Sequence, residues 1–212
     1  MYKEIILVGG GGHCHACIDV IEQEGNFSIA GIVDMPQKVG QKVLGYPIIG
    51  SDQDLEYLAK KYQYFLIAVG QLKTATTRQR IYQELTAYGA LLPTIISPLA
   101  YCSPHSQIGA GTIVMHHAIV NARAKIGLNC IINNKALVEH DAQVGNHNHL
   151  STACVLNGNV VLGTGCTIGS RAVTLQGIKI TDQVVVGAGA VVHRDLLQSG
   201  TYVGVPATRI NV

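Results

Sequence analysis

Two groups of residues in this sequence have types and spacings suited to chemistry. The first is the triplet Glu139-His140-Asp141, which interrupts a stretch almost free of charge. A histidine beside a carboxylate can act as a general base near neutral pH, because the acid orients the imidazole and stabilises its protonated form. Neighbouring residues of a strand point in opposite directions, so only a corner of the chain could bring one of these acids to His140. The triplet therefore predicts a general base, with surface polar residues at a corner as the alternative.

The second group is the glycine-rich turn Gly9–Gly12 with His13 after it. The turn follows an apolar run and precedes a helical pattern, where backbone N–H groups and the helix dipole favour phosphate. The dinucleotide fingerprint G-x-G-x-x-G is incomplete, since its third glycine is replaced by Cys14 in one register and by His15 in the other. Asp34 ends the second predicted strand, where an acid can bond a ribose hydroxyl. We expect a nucleotide rather than NAD, with a turn that binds no ligand as the alternative.

The other histidines and cysteines allow two further interpretations. Several histidines could meet between subunits of an oligomer and bind zinc, although no H-x-E-x-x-H spacing supports such a site. These are His116, His117, His140, His147 and His149. Cys14 and Cys17 have the C-x-x-C spacing of a redox pair, but Cys17 falls on the apolar side of the predicted helix, so packing is the favoured role.

The triplet Glu139-His140-Asp141 lies within a six-residue repeat, so the fold of this repeat must position it. From Ile108 to Val192 every sixth residue is aliphatic except Thr174, and no insertion breaks the register. The side chain four residues after each of these positions is usually small. A helix would repeat its apolar positions every three to four residues and a half-buried strand every two, so a period of six favours short strands separated by turns. The repeat predicts a parallel β-helix.

The N-terminal part of the sequence has a different pattern, in which strands alternate with helices. This alternation predicts a small parallel α/β sheet of the Rossmann type. We expect strands at 5–8, 28–33 and 64–69, an apolar run at 46–49, and helices at 16–24, 52–61 and 74–88. The predicted domains are residues 1–95 for nucleotide-sugar binding and 96–212 for the β-helix, with the boundary among the prolines from Pro93 to Pro98.

The distribution of charge excludes several classes of protein. Residues 1–88 carry 17 charged side chains, residues 89–170 carry five and residues 171–212 carry six. The charge-free run 89–122 contains three prolines and several polar residues, too many for a membrane helix. A formal net charge of +2 without Lys/Arg blocks gives no electrostatic footprint for nucleic acid or an anionic membrane. The N-terminus has no signal-peptide pattern, so we expect a cytosolic protein with reduced cysteines.

Taken together, these motifs resemble the two-domain sugar acetyltransferases of bacterial glycan synthesis. The sequence is most similar to bacillosamine-pathway enzymes, which acetylate the 4-amino group of a UDP-linked trideoxy sugar. Perosamine N-acetyltransferases and sialic-acid O-acetyltransferases are also similar. The resemblance covers essentially the whole chain and rests on the glycine turn with His13, Asp34, the hexads and four short motifs: 67–70, 138–141, 148–151 and 202–207.

The resemblance implies a fold, an assembly and an acetyl donor. It implies a left-handed β-helix, a homotrimer and acetyl-CoA, with no metal. It also implies that His140 is the base and that Asp141 raises its basicity. His149, Ser170 and Ala188 would contact acetyl-CoA, although the family has isoleucine and glycine where this chain has Ser170 and Ala188.

The resemblance assigns the nucleotide sugar to the N-terminal part of the chain. The residues that would hold it are Gly11, Gly12, His13, Asp34 and Gly70. In the implied reaction the sugar amine attacks the thioester, His140 takes its proton, and backbone N–H groups or His149 steady the oxyanion. Three alternatives stay open: a sugar O-acetyltransferase, which needs the same base, a zinc lyase of the carbonic-anhydrase type, and a nucleotide-binding scaffold without activity.

Overall fold

The computed structural model describes residues 3–211 and begins with an α/β domain. Its strands are β1 (Lys3–Val8), β2 (Phe27–Val33), β3 (Lys42–Val43), β4 (Tyr46–Gly50) and β5 (Tyr64–Ile67). Its helices are α1 (Gly12–Glu24), α2 (Leu55–Lys61) and α3 (Thr76–Ala87), with 3₁₀ turns at Pro36–Lys38 and Asp52–Asp54. The sheet has the order β3-β4-β2-β1-β5, and β1, β2, β4 and β5 run parallel. Among residues 3–211, no helix has the length and apolar character needed to cross a bilayer.

Two local differences from the sequence-based expectation lie near the ligand-binding turn. Helix α1 begins at Gly12 rather than at residue 16, with Gly11 as an extended N-cap (φ −83°, ψ −170°). The last glycine of the turn adopts helical backbone angles, which places His13 in the first helical turn. Strand β3 lies in a segment expected to be a loop, because two residues are too few to show a strand period.

From Ile95 the chain folds into very short strands, most of them two residues long. They are β6 (Ile95–Ile96), β7 (Tyr101–Cys102), β8 (Gln107–Ile108), β9 (Ile113–Val114), β10 (Ile119–Val120), β11 (Lys125–Ile126), β12 (Ile131–Ile132), β13 (Leu137–Val138), β14 (Gln143–Val144), β15 (His149–Leu150), β16 (Val155–Leu156), β17 (Val161–Leu162), β18 (Thr167–Ile168), β19 (Val173–Thr174), β20 (Lys179–Ile180), β21 (Val184–Val186), β22 (Val191–Val192), β23 (Gly200–Val203) and β24 (Thr208–Ile210). They form three sheets, so each coil passes through three faces. The predicted fold class, an α/β domain followed by a left-handed parallel β-helix, is confirmed.

The three faces of the β-helix differ in what lies outside them. We call β6, β9, β12, β15, β18, β21, β23 and β24 the covered face, β7, β10, β13, β16, β19 and β22 the apolar face, and β8, β11, β14, β17 and β20 the polar face. Outward residues of the covered face, such as Ile113 and Ile131, are buried in one core with Cys17, Ile18 and Ile21 of α1. The predicted division between residues 95 and 96 falls inside β6, and the domain boundary stays a prediction.

The six-residue period has a direct structural counterpart. The aliphatic position of each hexad is the inward residue of a strand, and these side chains form a continuous core from Val114 to Val192. The corner residue takes left-handed backbone angles in every hexad from Gly111 to Gly189, and Asp141 (φ 60°) is one of these residues. The chain therefore reverses direction at fixed intervals, and side chains one coil apart stack along each corner.

Candidate active site

A cleft of about 650 Å³ lies between the glycine turn and the covered face of the β-helix. It brings together all five residues that the sequence analysis connected with a nucleotide sugar, together with His149. These residues are Gly11, Gly12, His13, Asp34, Gly70 and His149. The cleft therefore has one wall from the N-terminal domain and one from the β-helix.

Gly11 and Gly12 are exposed, and their surroundings are open. Within residues 3–211, no atom lies within 4 Å of a Cβ built on either glycine, and neither has a positive φ. The folded chain alone thus gives no steric reason for glycine at these two positions. Their backbone N–H groups begin the 13-residue helix α1, where the helix dipole favours an anionic group.

Asp34 occupies the end of β2 and is held by two local contacts. Its Oδ2 atom lies 2.7 Å from Nζ of Lys38, and its Oδ1 atom accepts a hydrogen bond from the backbone N–H of Met35 at 2.8 Å. The same carboxylate packs against Gly10, where a Cβ would lie 2.7 Å from Oδ2. Asp34 is therefore oriented at the cleft edge with its charge partly balanced by Lys38.

His149 reaches the cleft from β15 and is tied to the N-terminal domain. Its Nδ1 atom lies 2.6 Å from the backbone carbonyl oxygen of Gln71, which can only accept, so Nδ1 carries the proton. Its Nε2 atom lies 3.2 Å from the side-chain amide of Asn133, which donates to it. Burial lowers the pKa of His149, which keeps the ring neutral. The neutral ring has no N–H left for an oxyanion, so this geometry does not support that role.

Arg78 lies fully buried behind the cleft and joins the two domains. One guanidinium nitrogen donates to the carbonyl oxygens of Ile67 (2.8 Å) and Val69 (2.7 Å), and the other donates to the Oδ1 atom of Asn129 (2.6 Å). In the described part of the chain, none of its hydrogen-bond partners is a carboxylate. Burial, followed by the charge of Arg78, lowers the pKa of His13 to about 3. The ring of His13 therefore stays neutral in the cleft.

His140 stands at the corner between the apolar and polar faces, on a side of the β-helix away from the cleft. Its Nδ1 atom donates to Oδ2 of Asp141 at 3.0 Å, which leaves the Nε2 lone pair as the basic site. The left-handed backbone of Asp141 turns its carboxylate back toward the ring. The imidazole lies over Gly158 of the next coil, where a Cβ would be 2.7 Å from Cε1 and Nε2. The side chain of His140 is 53% exposed, so a substrate can reach it.

Glu139, the other acid of the triplet, does not contact the imidazole ring of His140 but bonds the backbone of the corner. Its Oε2 atom accepts hydrogen bonds from the side-chain amide of Asn121 (2.8 Å) and from the backbone N–H of His140 (3.2 Å). It holds the backbone of the corner rather than the imidazole ring. The structure thus pairs His140 with Asp141, and the predicted roles of both remain to be tested.

Ser170 and Ala188, expected to line a CoA groove, lie exposed at the corner between the covered and apolar faces. They stack on consecutive coils, since the N–H of Gly189 donates to the carbonyl of Ser170 at 2.8 Å. The predicted residues therefore fall in three places: the cleft, this corner and the His140 corner. His149 lies in the cleft with the residues expected to bind the nucleotide sugar, and not at the corner with Ser170 and Ala188.

The two cysteines of the C-x-x-C spacing are buried core residues. Cys14 and Cys17 are buried, and burial raises the pKa of Cys14 to about 12 and raises that of Cys17 further. Both side chains belong to the core beneath α1. Over residues 3–211, no three or more His, Cys, Asp or Glu side chains are grouped to hold a metal ion.

Sequence reasoning missed several residues of these sites. Arg123 precedes Asp141 by 18 residues, and Gly158 follows His140 by the same interval. Three hexads make one coil, so this spacing could have placed both of them beside the catalytic candidates. Gln71 and Arg78 carry no such signal, because they lie outside the repeat and their contacts cross from one domain to the other.

Several known proteins are similar to this chain, and two solved structures cover almost all of it. Residues 4–85 match the PglD N-terminal domain family. The structure is similar to a histidine-to-asparagine mutant of perosamine N-acetyltransferase from Caulobacter crescentus, solved in complex with CoA and GDP-perosamine, with a TM-score of 0.93, 33% identity and coverage of 100% of this chain and 99% of the other. It is also similar to the acetyltransferase domain of PglB from Neisseria gonorrhoeae FA1090, solved with acetyl coenzyme A (TM-score 0.90, 30% identity, 99% and 100% coverage). GDP-perosamine N-acetyltransferase of Escherichia coli O157:H7 is 27% identical over 191 residues, which are 86% of this chain and 82% of that protein.

Proposed function

Because the chain belongs to the family of hexapeptide-repeat N-acetyltransferases that includes perosamine N-acetyltransferase, we propose that it transfers acetyl from acetyl-CoA to an amino group of a nucleotide-linked sugar. The observation that carries the proposal is the His140–Asp141 pair. It presents a base whose Nδ1 is fixed by a carboxylate and whose Nε2 is open to a substrate. A general base of this kind is what an amine needs to attack a thioester.

The reaction is a direct transfer with His140 moving one proton. The sugar amine attacks the carbonyl carbon of the thioester and forms a C–N bond, while Nε2 of His140 takes the amine proton. The tetrahedral intermediate then collapses, the C–S bond breaks and the thiolate of CoA receives that proton. Asp141 stabilises the protonated ring between the two steps. Binding both substrates side by side supplies the proximity that the bimolecular reaction lacks in water.

We assign the nucleotide sugar to the cleft. The open space above Gly11 and Gly12 and the N-terminus of α1 suit a diphosphate, and Asp34 suits a ribose hydroxyl. His13 and Gly70 line the same space and complete the proposed binding residues. Asn133 also lines the cleft beside His149, which makes it a further candidate contact.

We assign acetyl-CoA to the corner that carries Ser170 and Ala188. This corner lies between the covered face and the apolar face. His149 lies on the covered face one coil before the coil that carries Ser170. His149 lies in the cleft, so we place it where the acetyl end of CoA and the sugar would meet.

A homotrimer would bring the cleft and the base together. In one chain, the His140 corner lies opposite the covered face, with the width of the β-helix between them. The apolar face has a row of outward hydrophobic side chains, one per coil: Tyr101, Ile119, Leu137, Val155, Val173 and Val191. Tyr101 is 55% exposed and Ile119 38% exposed in the single chain. Burying this row between subunits would place His140 of one subunit near the cleft of the next.

As the acceptor we propose the 4-amino group of a UDP-linked trideoxy sugar. It is supported by the motif resemblance to bacillosamine-pathway enzymes, whereas the solved Caulobacter relative binds GDP-perosamine. Both acceptors present an amine on a nucleotide-linked ring.

The test is an acceptor panel with acetyl-CoA, followed by free-thiol release and mass spectrometry of the product. The panel contains a UDP-linked 4-amino-trideoxy sugar, GDP-perosamine and sialic acid. We expect the highest kcat/KM and an N-acetyl product with the UDP-linked amine. A preference for GDP-perosamine would correct the nucleotide, acetylation of sialic acid alone would establish the O-acetyltransferase alternative, and no thiol release with any acceptor would overturn the proposed function.

A further inference from the structure

Asp141 is shared between two cationic partners. Its Oδ2 atom accepts the Nδ1–H of His140 at 3.0 Å, and its Oδ1 atom lies 2.6 Å from Nε of Arg123. Arg123 occupies the equivalent corner position one coil earlier, so the regular stacking of coils sets this contact. The hydrogen bond from His140, followed by the charge of Arg123, holds the pKa of Asp141 below its ordinary value.

The titratable groups around the His140–Asp141 pair come from three coils. Its own corner supplies Glu139 and Asp141, and the preceding coil supplies Arg123 and Lys125. His105, two coils earlier, lines a cavity of about 320 Å³ together with Arg123, Lys125 and Asp141. The following coil presents Gly158 and Asn159, which carry no charge. Arg123 is the cation of this group that bonds the carboxylate directly.

We propose that Arg123 is a positioning residue that sets the pH range of acetyl transfer by sharing the Asp141 carboxylate with His140. A carboxylate neutralised by a guanidinium attracts an imidazolium less strongly than a free one. Arg123 thus limits how strongly Asp141 can stabilise the protonated ring of His140 during the reaction. The inference rests on the proposed role of His140.

The exposure of Arg123 favours this role over a structural one. Its side chain is 80% exposed, and exposed ion pairs contribute little to stability. Asp141 is 31% exposed and keeps its contact with His140 independently of Arg123, because the corner backbone directs it. Removing the guanidinium should therefore leave the fold intact and change only the charge that His140 experiences.

The experiment compares R123Q, R123K and K125Q with the parent protein in two measurements. The first is an NMR titration of the His140 ring, assigned with H140N. The second is the pH profile of kcat/KM. For R123Q we expect the midpoint of both to move upward by about half a pH unit, with kcat/KM about threefold lower below the midpoint and unchanged on the plateau. R123K should restore most of the parent midpoint. K125Q removes a cation from the same cavity without touching Asp141, and its midpoint should move less.

Each other result contradicts the proposal. An R123Q midpoint that moves no further than that of K125Q would show that Arg123 does not act through Asp141. A raised KM for acetyl-CoA with an unmoved midpoint would identify Arg123 as a binding residue instead. The NMR titration needs no substrate, so a moved midpoint in a protein that transfers no acetyl group would reject the proposed function while retaining the link between Arg123 and His140.

Discussion

His13 and His149 lie in the cleft under the N-terminal domain, whereas His140 stands half exposed on the opposite side of the β-helix. The cleft histidines are desolvated, and buried Arg78 behind them adds a positive charge; burial and this charge lower the pKa of both. His140 has a carboxylate against its ring and solvent on its other side. Histidine is therefore kept neutral in the cleft, whereas at the corner its ring is held by a carboxylate and its Nε2 atom is open to solvent.

Under the proposed function, this difference would separate substrate binding from proton transfer. A histidine that cannot be protonated near neutral pH can hold a ligand by hydrogen bonds but cannot serve as a base that cycles through imidazolium. The cleft rings thus have a buried guanidinium behind them, whereas the corner ring has the carboxylate of Asp141 beside it. Under the proposed function, the chemical step takes place at the exposed corner and substrate recognition in the cleft.

The sharpest way to break the comparison is to remove the base. H140A should lower turnover by about two to four decades, the range for a lost general base, because the amine proton has no acceptor. Steady-state kinetics with the best acceptor measures the loss. H105A, which removes an exposed histidine at the same corner two coils earlier, should keep its turnover and serves as the control. Near-normal turnover of H140A, with a normal circular dichroism spectrum, would end the assignment.

A second prediction tests whether the two regions cooperate between subunits. G12L fills the open space at the glycine turn and should abolish substrate binding, so G12L and H140A are each expected to be inactive. Mixed trimers from coexpression at equal levels should regain roughly a quarter of parent activity, because that share of sites pairs an intact cleft with an intact base from the neighbour.

The controls for this experiment are the two variants expressed separately and then mixed after folding. They should stay inactive if the trimer does not exchange subunits. Mixed trimers without activity would contradict a site built from two subunits and would place the cleft and its base within one chain.

A further prediction concerns the stability of the fold at acid pH. The unfolded chain takes up a proton at His13 near pH 6.5, but the folded chain does so only near pH 3, so folding opposes protonation between these values. The free energy of unfolding should therefore fall as the pH is lowered through this window, by up to about 5 kcal/mol. H13Q should show a flatter dependence in urea titrations at several pH values, while the exposed-site control H105Q should follow the parent. Parallel curves for H13Q and the parent would show that His13 is not desolvated.

Most of the fold could be predicted because the hexads repeat without interruption. The period placed Val114 and Val138 inside the coils, and it carries the 18-residue spacing that sets Arg123 beside Asp141. The cleft was less accessible to prediction. Arg78 stands in a helix of polar residues and resembles a solvent-facing side chain, but packing of two domains buries it. Contacts between domains depend on their docking, which no local period encodes.

The uninterrupted register also determines how this protein can change in length. Ile119 pairs with Leu137 and Leu137 with Val155, so one coil consumes 18 residues. A single inserted residue would turn every later side chain of that coil from the core toward solvent. Gain or loss of a whole coil beyond Thr167 would instead preserve the cleft and the His140 corner and would alter the length of the corner that carries Ser170 and Ala188. Divergence in this fold should therefore proceed in whole coils, and the length of the proposed acetyl-CoA corner is the property that would vary.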